Sequence, residues 1–253
     1  MRVPHERWFV ALAMTLTVVT GAVDAVSFIG LDGVFSANMT GNVVMLAIGG
    51  AGAREVPITG IMGALLGFLG GAALTARFLR AGASAAARCC GRSSVVLALL
   101  TCLAALLCLQ LWWVPLPSGR AVTGVTALLG LMMGAQAATV RRLAVKDVSS
   151  VVVTMTLAGL AADSRTAGGP GGGGKRLGAV VALAAGAVLG ALLLRVGGPS
   201  ATMGLATAQL AAATALTLHL RERAGPGVWA RWLARTASSR DQREELRIGE
   251  GRG

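Results

Sequence analysis

Six stretches of this chain are long and apolar enough to cross a lipid bilayer, and that leaves few architectures open. A helix spans the hydrocarbon core in about 20 residues at 1.5 Å each. The segments at about 8–28, 56–79, 93–114, 121–140, 177–194 and 200–219 reach or approach that length. Hydrophobic residues make up 55% of the chain and charged ones 13%, with a mean hydropathy of +0.70. Soluble domains carry roughly 25% charged residues. A water-soluble globule is excluded, because such a chain has too little polar surface to clothe itself. Residues 1–25 imitate a secretory signal, with Arg2 and Arg7 ahead of an apolar stretch. That stretch is longer than the usual 7–15 residues and more spans follow, so it reads as an uncleaved first helix.

The net charge of +12 would suit nucleic acid, but its distribution points elsewhere. With six spans, the N-terminus, the 77–92 loop, the 141–176 loop and the C-terminal segment share one side and hold 20 of the 23 Lys and Arg residues. The other side has only Arg54, Arg120 and Arg195. Positive charge gathers on the cytoplasmic side of membrane proteins. Both termini are therefore expected in the cytoplasm, with the basic loops against anionic lipid. No nucleic-acid partner is expected.

Within this apolar background one polar phrase occurs twice. The first copy is Gly21-Ala-Val-Asp24 followed by Asn38-Met-Thr40-Gly41-Asn42; the second is Gly134-Ala-Gln136 followed by Thr154-Met-Thr156. Each copy follows a long apolar helix. Three spans per copy is an odd number, so the copies must enter the membrane from opposite sides, as in many secondary transporters. The expected fold is an all-α membrane protein of six spans. It forms a 3+3 inverted repeat (about 8–114 and 121–219) in one membrane domain, 1–220, followed by a basic cytoplasmic tail, 221–253.

Residues 34–49 and about 148–162 are too apolar for external loops and too polar for full spans. Counting both as crossings would place the arginines of 77–92 outside, against the charge bias. They read as two re-entrant half-helices, since non-helical backbone at depth is tolerated only when buried in protein or lining a wet cavity.

The candidate pathway residues are Asp24, Asn38, Thr40, Gly41, Asn42, Gln136, Thr154 and Thr156. A carboxylate such as Asp24 inside a span is costly and marks either an ion- or proton-coupling site or a cap on the re-entrant segment. Asn38 or Thr40 would cap a half-helix, and Gly41 would admit another backbone. Gln136 would hydrogen-bond a neighbouring helix or line the same cavity. A half-helix N-terminus suits an anion and Asp24 suits a cation or proton, so the sign of the solute stays open. Gly63, Gly67, Gly71, Gly130, Gly134, Gly186 and Gly190 would bring helices close, and part of the series would serve a homo-oligomer.

Some motifs mislead. Gly169 to Lys175 nearly spells a phosphate-binding loop, but Arg176 stands where Ser or Thr is required. Cys89 and Cys90 lack the redox spacer, Cys102 and Cys108 read as small apolar residues, and His5 and His219 are the only histidines. No metal or cofactor and no catalytic constellation are expected.

Gly21-Ala-Val-Asp-Ala-Val-Ser-Phe28, Val34-Phe-Ser-Ala-Asn-Met-Thr-Gly-Asn42, Met133-Gly-Ala-Gln136, Arg141-Arg-Leu143 and Thr154-Met-Thr-Leu-Ala-Gly-Leu-Ala-Ala-Asp163 together resemble the YoaK family of bacterial multi-pass membrane proteins, whose function is not established. The resemblance covers about residues 8–220 and implies a shared membrane fold without a substrate. The family pattern has Asn after the Gln of the fourth span, where this chain has Ala137. The expected function is transport or conduction of a small solute or ion. The alternative is a membrane scaffold or sensor acting through the basic loops and tail.

Overall fold

The computed structural model describes residues 4–31, 33–53, 55–80, 86–113, 120–143, 158 and 174–223. The second polar segment (about 148–162) apart from Ala158, the glycine linker of 168–174 apart from its last residue, and the tail beyond Arg223 lie outside them. Most described residues are helical, in α1 Pro4–Gly30, α2 Met39–Gly50, α3 Ile58–Arg80, α4 Ala86–Trp113, α5 Arg120–Leu143 and α6 Gly174–Arg223.

Five helical stretches are long and apolar enough to cross a membrane: Val10–Gly30, Ile58–Arg80, Arg92–Trp113, Ala121–Arg141 and Leu177–His219. The last is 43 residues long, about twice what a bilayer needs. It does not run straight. Gly198 adopts φ 69° and ψ −171°, and Pro199 follows. The Thr202 hydroxyl donates to the Gly190 carbonyl at 3.1 Å across 12 sequence positions. Along an unbroken helix those residues would stand about 18 Å apart. α6 is thus a hairpin of two arms, matching the separate stretches expected at 177–194 and 200–219. Where residues 1–7 and 86–92 were not counted in spans, the first and third helices begin earlier, at Pro4 and Ala86.

Glycine sets which helices touch. A β-carbon on Gly21 would collide with the Leu183 carbonyl, and one on Gly186 with the Val18 carbonyl. One on Gly190 would lie 2.8 Å from the Ala22 carbonyl. These contacts advance together along both helices, so α1 and the first arm of α6 run parallel. The same arrangement joins α3 to α5. Gly67 and Gly71 face the carbonyls of Ala127 and Leu131, while Gly130 and Gly134 face those of Ala64 and Phe68. Gly63 abuts the Thr123 methyl. All seven glycines singled out in the sequence therefore pack against helices of the same chain. α4 lies against the second arm of α6, where the Thr101 and Thr214 hydroxyls meet at 3.2 Å.

The interior joins a core of Leu, Met and Val to buried hydroxyl and amide side chains, while the outside is large and apolar. Leu66, Leu69, Leu74, Leu99, Leu106, Trp112 and Trp113 are exposed, whereas Thr17, Ser27, Ser36, Asn42, Thr126 and Thr139 are buried. Water would penalise such an outer surface, and lipid welcomes it. Interior hydroxyls bond back to their own helix, as Thr17 does to Ala13, Thr126 to Val122 and Thr139 to Ala135. At the end of α3 the Arg92 guanidinium donates to the Phe78 carbonyl at 3.0 Å and lies over the Phe78 ring. A cation there answers the negative end of the helix dipole.

The seams give a stability prediction. Gly134→Ala puts a methyl into the Phe68 carbonyl and should cost about 1–3 kcal/mol, as overpacking does. Gly70→Ala and Gly124→Ala meet open space and should leave the midpoint unchanged or slightly raised. Thermal melting in detergent, followed by size-exclusion chromatography, compares them. Equal midpoints for all three would remove the seam from the account of stability.

Candidate functional site

Thr20, Asp24 and Ser27 recur along α1 at spacings of four and three, so they share one helix face. Opposite this face the chain leaves α1 and passes through Gly33, at φ 68°, into a non-helical stretch before α2. Helix-free backbone inside a membrane protein must find partners for its amides. Here Asp24 supplies them. Its Oδ1 accepts from the backbone N–H of Ser36 at 2.9 Å, from that of Ala37 at 2.7 Å and from the Ser36 hydroxyl at 3.1 Å. Ser27, also fully buried, donates to the Asp24 carbonyl and to the Ser36 hydroxyl.

Asn42 closes the same stretch from the other end. It has no exposed surface. Its Oδ1 accepts from the Phe35 N–H at 3.0 Å and its Nδ2 donates to the Phe35 carbonyl at 2.6 Å. One amide side chain thus satisfies both polar groups of one residue, as a neighbouring strand would. Asn38 is the N-cap of α2, its side chain accepting from the Gly41 N–H at 3.4 Å. The Phe35 ring stacks on Phe28 with centroids 4.5 Å apart. Below it Val34 packs with Ile61 and Ala64 of α3, which anchors α2 to the wall of the bundle.

Of the residues expected at the site, Asp24, Asn38, Gly41 and Asn42 come together. Of the two readings left open for Asp24, its contacts are those of a cap. Asn38, and not Thr40, is the residue that caps the helix, and Thr40 is exposed on its first turn. Among the described residues no other helix approaches Gly41: the atoms a β-carbon would meet are the Asn38 amide and the Phe35 ring, at 3.2 Å. Gln136 lies elsewhere, at the crossing of α5 with α1. Its Nε2 donates to the Leu16 carbonyl at 2.9 Å and to the Thr20 hydroxyl at 3.1 Å. Thr20 is one helical turn from Asp24, so the two clusters adjoin along α1. Thr154 and Thr156 lie outside the described residues.

Sequence reasoning missed Thr20, Ser27, Phe35 and Ser36. The spacing of Thr20, Asp24 and Ser27 carried a readable signal. Ser36 and Phe35 carried none, because their roles arise from backbone groups. Among the described residues no group of His, Cys, Asp or Glu is placed to hold a metal ion.

Two substitutions separate the clamps. Asn42→Leu strands the Phe35 N–H and carbonyl, each at a cost of about 1–3 kcal/mol. Asp24→Leu strands the amides of Ser36 and Ala37, while Asp24→Asn keeps an acceptor oxygen. Melting midpoints should fall in the order wild type, Asp24→Asn, Asp24→Leu, with Asn42→Leu also low. Amide hydrogen exchange at residues 35–37 should rise in the two Leu variants, and unchanged protection there would contradict the clamp.

No solved structure matches the chain. It is 28% identical over 157 residues to the UPF0700 transmembrane protein YoaK of Bacillus subtilis (strain 168), a match covering 60% of this chain and 65% of that relative. The matched region thus spans just under two thirds of the relative's length. Residues 12–216 match the family described as "protein of unknown function (DUF1275)", and this integral membrane protein belongs to that family.

Proposed function

We propose that the protein is a carrier or channel for a small solute or ion, built as two inverted repeats of three spans. The observation that carries this reading is a recurrence in the contacts. Gly21 faces Leu183 and Gly134 faces Phe68; the glycines are 113 positions apart and their partners 115. Gly186 faces Val18 and Gly71 faces Leu131 at the same two offsets. Thr101 and Thr214, which bond each other, are again 113 apart. Such recurrence is expected when two halves are related by a two-fold axis lying in the membrane plane. The first span of each half then packs on the second span of the other, and the third spans meet at the axis.

In proteins of this kind the site lies near the midplane, at broken helices. α2 fits that role. It is 12 residues long, too short to cross, and begins beside Asp24, within α1. We read it as a re-entrant half-helix, with its counterpart in the second polar phrase. The pathway would pass Asp24, Asn38, Thr40, Asn42 and Gln136, with Thr154 and Thr156 entering from the second copy. The charge bias supports an inner-membrane setting with both termini in the cytoplasm.

Purified protein in liposomes tests the reading. Uptake of at least one member of a panel of small ions and neutral solutes should exceed that of empty vesicles. Asn42→Ala should lower it by about tenfold, the equivalent of about 1.4 kcal/mol, and removal of residues 224–253 should leave it intact. The opposite pattern, with the tail essential and Asn42 dispensable, would favour a scaffold or sensor.

A further inference from the structure

We propose that the solute is a small monovalent cation, and that Gln136 Oε1, at the crossing of α5 with α1, is one of the oxygens that receives it. This rests on the transport reading above and settles the sign of charge that the sequence leaves open.

The case against an anion comes from α2. A helix N-terminus attracts negative charge through its free N–H groups and its dipole. Here most of the N–H groups at and just before this helix end are already engaged. The N–H groups of Ser36 and Ala37 donate to Asp24, that of Gly41 to the Asn38 side chain, that of Met39 to the Ala37 carbonyl, and that of Asn42 to the Asn38 carbonyl. The negative group at this helix end is the protein's own carboxylate. A second anion would meet Asp24 and find few donors left.

The case for a cation comes from what surrounds Asp24. Its contacts are with hydroxyl and amide groups, and among the described residues no Lys or Arg pairs with it. A carboxylate balanced only by dipoles leaves its surroundings net negative. One turn along α1, Gln136 is 3% exposed. Its amide can sit only one way round. Thr20 gives its proton to the Leu16 carbonyl at 2.9 Å, so both the Thr20 oxygen and the Leu16 carbonyl face Gln136 as acceptors and require its NH₂ end. Oε1 therefore points away from them, and it is buried with no donor among the described residues. A buried carbonyl oxygen without a partner is unfavourable. Alkali cations and the N–H groups of ammonium-type cations are among the ligands that such an oxygen binds, and the neighbouring Asp24 carboxylate favours them over neutral donors.

The test uses the full chain in proteoliposomes loaded with potassium chloride and diluted into low salt, with a potential-sensitive dye as the readout. Cation selectivity makes the interior negative, and anion selectivity makes it positive. Uptake of radiolabelled rubidium and of methylammonium then distinguishes alkali from ammonium-type cations. We expect a negative interior, uptake of at least one of the two, and a loss of about tenfold or more in Gln136→Met, the scale of one charged hydrogen bond. The variant should retain the wild-type elution profile. A positive interior, uptake only of neutral solutes, or wild-type cation uptake by a folded Gln136→Met would each overturn the cation site and leave transport standing. Absence of any flux across the whole panel would remove the transport reading, and this inference with it. The wild-type sign of potential decides the charge even if the variant fails to fold.

Discussion

Direct contact between helix backbones, made possible by glycine, is the constraint on which the rest of this protein depends. Lipid offers helices no hydrophobic reason to associate, so close packing must do it. At Gly21, Gly67, Gly71, Gly134 and Gly186 a carbonyl of the neighbouring helix occupies the place of a side chain. The glycines of α3, α5 and α6 recur every four residues, one turn apart, so each seam extends over several turns. The two seams fix four helices as parallel pairs. Only within such a frame can a short, interrupted segment like 31–57 be held in one conformation.

That segment shows how polar residues in an apolar chain divide their work. Asp24, Asn38 and Asn42 looked like spare chemistry among alanines and valines, and Ser27 and Ser36 work beside them. Their contacts are mostly with backbone: four amide groups and two carbonyls are satisfied by these side chains. A helix satisfies its own amides at no side-chain cost, whereas a break in it requires a polar residue for each group it frees. What remains after that work is done is small: among the described residues Gln136 Oε1 and Gln209 Oε1 are buried without a donor, and of the two it is Gln136 that adjoins the Asp24 cluster.

Much of this was legible in the sequence. The apolar runs placed the helices to within a few residues, because membrane thickness fixes their length. The glycine spacing placed the seams, because only one residue type lets backbones touch. Asn38 was legible as one of two possible caps. The partners were not. Nothing in the order of residues ties Asp24 to the amides of Ser36 and Ala37, twelve and thirteen positions away, because amides carry no sequence signature. Gly41 was misread for a similar reason: a glycine after an N-cap and a glycine in a helix seam look alike until the neighbour, here the Phe35 ring, is known. The bond from Gln136 to Leu16 crosses 120 positions and depends on how α1 and α5 cross.

The turn at Gly198 and Pro199 bears on how the chain is made. The two arms of α6 are joined by so few residues that no soluble loop separates them. A ribosome delivering this stretch presents the insertion machinery with 43 apolar residues and almost no pause. Neither arm can be threaded and released alone, since its partner follows within one turn of helix. With so short a turn the two arms are tied to each other in lipid, and Arg195 stands just before the turn that joins them.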